Sequence, residues 1–179
     1  GVVQQVPLVQ TGFTAGSTIQ SAADITSICL DMEHTFIGDL LISLTCPNGQ
    51  TVIMHQQGGS GTNLGTPVTS PAVNCDNPAT QGVPGNYCWT NDATITWAQS
   101  STANGTVVAG GLVEGNYRPV SSFDGFIGCP TNGIWTLNIT DLWAADDGTV
   151  FGFQLNLNPD FYPDDISFQP SIGTELDSS

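Results

Sequence analysis

Basic residues are almost missing from this chain. Of its 179 residues one is basic, Arg118, against 16 that are acidic, which gives a formal charge of −15 and an isoelectric point near 4.1. A surface this acidic is repelled by phosphate backbones and anionic lipid, so nucleic-acid binding and membrane association are excluded as working functions. No lysine is present, which removes Schiff-base and P-loop chemistry. No apolar run approaches the ~20 residues a membrane helix needs, so no membrane insertion is expected. The start of the chain has neither a basic nor an apolar leader region, so any signal peptide is expected to have been removed or to lie outside this sequence. CxxC pairs, a GxSxG elbow and an HExxH helix are also absent, and with them the usual signs of zinc ribbons, redox pairs, serine hydrolases and zinc proteases. Amphipathic helical periodicity is missing too.

What is present is turn chemistry and period-two alternation. With 21 glycines and 11 prolines between alternating apolar runs, the chain reads as all-β, with many short strands joined by turns. Strands are predicted near 26–34, from Asp39 to Cys46, and at 51–55, 93–98, 133–140 and 149–157. In the first, Ile28, Leu30, Met32 and His34 share one face, and Cys29, Asp31 and Glu33 the other. Residues 1–16 read as a polar lead-in, 17–158 as the β-domain, and 159–179, rich in Pro, Asp and Ser, as a linker to a further domain. Residues 56–92 read as a long loop that Cys75 and Cys88 could pin. Five cysteines (Cys29, Cys46, Cys75, Cys88, Cys129) suit two disulfides and one free thiol in a secreted protein, with the pairing open. Asn104-Gly105-Thr106 and Asn138-Ile139-Thr140 fit the N-glycosylation pattern.

The only histidines are His34 and His55. His34 is expected as a hydrogen-bonded core residue and His55 as partly exposed. Trp135 is expected in the core. Trp89 and Trp143 are placed in loops, where they either cap the sandwich or stack on sugar rings. Acidic side chains are the main chemical resource. Glu33 and Asp39 flank one tight turn, Asp31 shares the face of Glu33, and Asp141, Asp146 and Asp147 sit in one glycine-ended loop. If the fold brings that loop beside the turn, the six could hold Ca²⁺, which takes about six to eight hard oxygen ligands. Solvated turn acids with an Asx-turn at Asp141 explain them equally.

Several segments carry a family likeness. His34 to Leu40, followed by Leu44 to Gly49, resembles the hairpin of the P-domain that accompanies subtilisin-like proprotein convertases. Gly133 to Asp141 resembles that family's tryptophan-bearing strand. Asp147 to Val150 with Phe153 to Leu155 resembles its closing strand, Phe153 standing where tryptophan is usual. Thr45 to Gln50, Gly61 to Gly65, Tyr87 to Trp89, Gly115 to Pro119 and Gly128 to Trp135 are similar to P-domain-like modules in large surface proteins of Bacteroidetes. The resemblance implies a jelly-roll β-sandwich of about eight mostly antiparallel strands, secretion to the cell surface, and a place in a longer chain. It also implies that the module is not an enzyme and has no catalytic residues. Cys75 departs from the pattern, as the odd thiol or as a partner of Cys88. The expected function is a calcium-stabilised structural or adhesive module that meets neighbouring domains and a surface glycan or protein. The alternatives are a carbohydrate-binding module and an accessory domain of a secreted protease.

Overall fold

The computed structural model describes residues 3–68, 81–100, 105–143 and 148–163. It is all-β, as expected, with ten strands and short 3₁₀ turns among the described residues. Sheet 1 runs in the order β1 (Val3–Gln10), β9 (Gly133–Asp141), β3 (Leu40–Thr45), β4 (Thr51–His55). Sheet 2 runs β10 (Gly148–Leu157), β2 (Ile25–His34), β5 (Gly85–Trp89), β8 (Gly115–Tyr117). A small hairpin, β6 (Val107–Val108) with β7 (Gly111–Leu112), lies apart. Pairing is antiparallel except between β5 and β8. The chain passes from one sheet to the other between β1 and β2, β2 and β3, β4 and β5, β8 and β9, and β9 and β10, an order compatible with a jelly roll.

Alternation decides what the sheets bury. Leu40, Ile42 and Leu44 of β3 and Trp135, Leu137 and Ile139 of β9 point into the core from sheet 1. Ile28, Leu30 and Met32 of β2 meet them from sheet 2, with Tyr87, Trp89, Phe153 and Leu155. Each such side chain contributes about 1.5–3 kcal/mol by leaving water. In β10 the register slips between Val150 and Gly152. Phe151 is thereby left without a strand partner and stands partly exposed.

Four segments differ from the sequence reading, each for a physical reason. Residues 3–10 of the expected lead-in form β1 and pair with β9 along their whole length. Pro7 fits there because β1 is an edge strand, where proline is tolerated. Gly85–Trp89 lies in the expected long loop and is instead a central strand of sheet 2. At five residues it is too short to show periodicity by itself, and β2 supplies its register. Residues 93–98 alternate yet are not a strand. The Thr96 backbone N–H donates to the Gln99 side chain at 3.0 Å, closing the turn Trp97–Gln99 instead. Residues 159–162, placed in the linker, fold back. Thr14 N–H donates to Phe161 O at 2.8 Å, and the Phe13 ring lies 4.8 Å from that of Tyr162.

Two disulfides staple the sandwich. Cys29–Cys88 joins directly opposed residues of β2 and β5. Cys46–Cys129 ties the end of β3 to the segment before β9. Cys88 is therefore not the partner of Cys75, which lies outside the described residues.

Candidate functional site

Among the described residues, Glu33, His34, Asp39, His55 and Asp141 lie toward the end of the sandwich where β2 ends, β3 begins, and β4 and β9 end. His34 keeps the inward parity of β2 and is buried. Its Nδ1 accepts the Phe36 backbone N–H at 3.0 Å. That role places the ring proton on Nε2, which lies 3.4 Å from Asp141 Oδ2. Asp141 closes β9 with the same inward parity as Trp135, Leu137 and Ile139, so it reaches His34 across the sandwich. Its other oxygen, Oδ1, accepts the Trp143 N–H at 2.9 Å, the Asx-turn that the sequence admits. His34 is thus a hydrogen-bonded core residue.

The remaining acids divide between faces. Asp31 and Glu33 point outward from sheet 2. Asp31 Oδ1 accepts a hydrogen bond from Asn86 Nδ2 at 2.6 Å. Glu33 is only 4 % exposed, with Gly82 against its carboxyl group. Asp39 precedes Leu40, the register partner of Asp141, and its carbonyl accepts the Leu142 N–H at 3.0 Å. Glu33, Asp39 and Asp141 therefore share one end of the sandwich but not one face. Asp146 and Asp147 lie outside the described residues. Asp147 immediately precedes Gly148, the register partner of His34, and Glu33 pairs with Thr149. Among the described residues no three metal-ligating side chains come together. The described carboxylates do not by themselves make a calcium cage, because they do not converge on one point.

His55 is the residue the sequence misplaced. It ends the edge strand β4, yet it is fully buried, and its Nε2 donates to the Ile37 carbonyl at 2.8 Å. Burial pushes its pKa down from 6.5 to about 4, and the Ile37 carbonyl offsets this only in part. The ring sits 5.3 Å from Trp97, which in turn lies 4.7 Å from Trp89 and 5.5 Å from Tyr87. His55 Nδ1 and the indole nitrogens of Trp89 and Trp97 have no hydrogen-bond partner among the described residues. Trp89 is core, since it points inward from β5. Trp135 is core as expected, and Trp143 is 64 % exposed. The best sequence signal for this cluster was the regular spacing of Tyr87 and Trp89, which a strand would turn to one side.

Both histidines are held by backbone groups inside the sandwich, so neither ring is open to a substrate. No described helix is long and apolar enough to cross a membrane. Two disulfides fit an extracellular protein.

Residues 24–82 match the model of the proprotein convertase P-domain family, a family of non-catalytic accessory β-domains. The matched stretch spans β2, β3, β4 and the turn between the two sheets that brings Asp39 beside Asp141. No curated protein and no solved structure matches the chain.

Proposed function

We propose that this chain is a non-catalytic accessory module of a secreted bacterial surface protein, which steadies or spaces neighbouring domains and contacts a partner surface. The observation that carries the reading is the P-domain match over the stretch that builds the rim. The commitment of His34 and His55 to backbone partners supports it. Calcium belongs to the same proposal. Glu33, opposite Thr149 in the register, and the Asp146-Asp147 pair just before Gly148 are the candidate holders, with Asp39, Asp141 and Asp31 at the same end. A cation there would relieve the mutual repulsion of acids crowded at one rim.

Thermal unfolding in excess chelator and in millimolar calcium tests this. A bound ion stabilises the fold by mass action, by about 2.7 kcal/mol when calcium stands at about 100 times its Kd, and so raises the midpoint. Identical curves would remove calcium and leave the accessory module. The family match also favours a second reading, an accessory domain of a secreted subtilisin-like protease. A protease domain encoded beside this module decides for it.

A further inference from the structure

Among the described residues, the strands of sheet 1 place no charged side chain on its outer face, in a chain whose formal charge is −15. β1, β3 and β4 contain no Asp, Glu, Lys or Arg, and the one acid of β9, Asp141, turns inward to His34. Across this neutral face runs a row of side-chain hydrogen bonds that touches all four strands. Gln5 Nε2 of β1 donates to Asn138 Oδ1 of β9 at 3.0 Å. Asn138 Nδ2 donates to Thr45 Oγ1 of β3 at 3.0 Å. The hydroxyls of Thr45 and Thr51, the latter on β4, share a bond of 2.8 Å. Three strand spacings make the row about 14 Å long. At the end of β3 where the strand begins, Leu41 points outward and joins Leu142, Gln56 and Gln57 in an open cleft of about 500 Å³. The exposed Trp143 follows Leu142 directly.

We propose that this face and its cleft bind a neutral, hydroxyl-rich polysaccharide. Sugar hydroxyls need donors and acceptors side by side, which amides and hydroxyls supply together. Sugar C–H faces need apolar surface, which Leu41 and Leu142 supply. The row's side chains hold one another in place, so little side-chain freedom is lost on binding. Without ions on the face, docking carries no cost of stripping water from a charge. A second copy of the chain is the poorer occupant. Two copies repel through their net charge, and the middle of the face is polar, whereas a self-association patch is apolar at its centre. A basic protein is drawn to the acids elsewhere rather than to this face. The proposal goes beyond the accessory-module reading and does not depend on calcium at the rim.

The test is retention of the full 179-residue chain, in chelator, on cellulose, chitin, starch and mannan, with alginate as an acidic control. Retention is expected on at least one neutral polymer and not on alginate. Gln5→Glu and Thr51→Glu place a carboxylate at either end of the row, at exposed positions, and are expected to weaken retention about tenfold each. Val108→Glu adds the same charge on the exposed β6–β7 hairpin and is expected to leave retention unchanged. Unchanged melting curves establish that each variant is folded. Retention on none of the four neutral polymers overturns the proposal. So does equal retention of Gln5→Glu and Thr51→Glu with the parent, an equal loss in Val108→Glu, or retention on alginate. Because calcium is absent throughout, failure here leaves the rim proposal standing.

Discussion

Acidification probes the surroundings of His55 directly. The ring is buried, its Nε2 donates to the Ile37 carbonyl at 2.8 Å, and its Nδ1 has no hydrogen-bond partner among the described residues. The folded pKa of about 4 lies below the ordinary 6.5, so the unfolded chain takes up this proton first. Stability from the neutral ring is therefore complete above about pH 6.5 and is lost as pH falls toward about 4. A gap of about 2.5 between the two pKa values, at about 1.36 kcal/mol each, is about 3 kcal/mol in total. Between about pH 7 and about pH 5 the loss is about 1.8 kcal/mol. Urea unfolding followed by tryptophan fluorescence measures it. Carboxylates add their own pH dependence, so the reference is His55→Gln, which keeps a donor for the Ile37 carbonyl but cannot be protonated. The parent is expected to lose about 1.8 kcal/mol more than the variant over that range. Equal losses would refute the reasoning. The ring's own titration by NMR, centred near 4 rather than near 6.5, gives the same answer without a mutation.

Cys46–Cys129 spans 83 residues of sequence, so the paired Ala variant is expected to lose up to about 4.5 kcal/mol, read as a lower urea midpoint. An unchanged midpoint would mean that the sandwich holds without that staple. Gly148 and Gly152 separate two kinds of strand glycine. A Cβ at Gly148 would sit 2.9 Å from the Cβ of His34 and collide with the Glu33 carbonyl, whereas one at Gly152 meets nothing within 4 Å. Gly148→Ala is expected to destabilise by about 1–3 kcal/mol and Gly152→Ala to be near neutral, in the same denaturation assay. Equal effects would mean that the β2–β10 register is looser than described.

Alternation made the inner faces of β2, β3 and β9 readable, because each strand shows its period without outside help. Ile28, Leu30, Met32 and His34 were assigned to one side, and they are buried there. β1 and β5 were not readable for the opposite reason. β1 carries Pro7 and many glutamines, and β5 is five residues long, so their strand character comes from β9 and β2. His55 was misjudged because its position at the end of β4 suggested exposure. Trp97, which lies within the stretch wrongly read as a strand, closes over it. Parity along β2 also placed Asp31 on the outer face, where it meets Asn86, but gave no sign that Glu33 on the same side is buried against Gly82.

Parity could not say which end of which sheet Asp141 would meet. His34 and Asp141 are separated by most of the domain in sequence and lie on different sheets, so only the stacking of the two sheets brings them within 3.4 Å. The same limit hid the row on sheet 1. Gln5, Thr45, Thr51 and Asn138 come from four strands, and their order across the sheet, β1-β9-β3-β4, is not their order in the chain. Each is an unremarkable polar residue on an outward position. What makes them a candidate surface is adjacency, together with the absence of any acid among them. Acids make up 16 of the 179 residues, but among the described residues the four strands set none on this face. That exclusion carries chemical information because it follows the sheet rather than the sequence. A face that merely faced water would have shared in the charge, and one built to meet an uncharged surface would not.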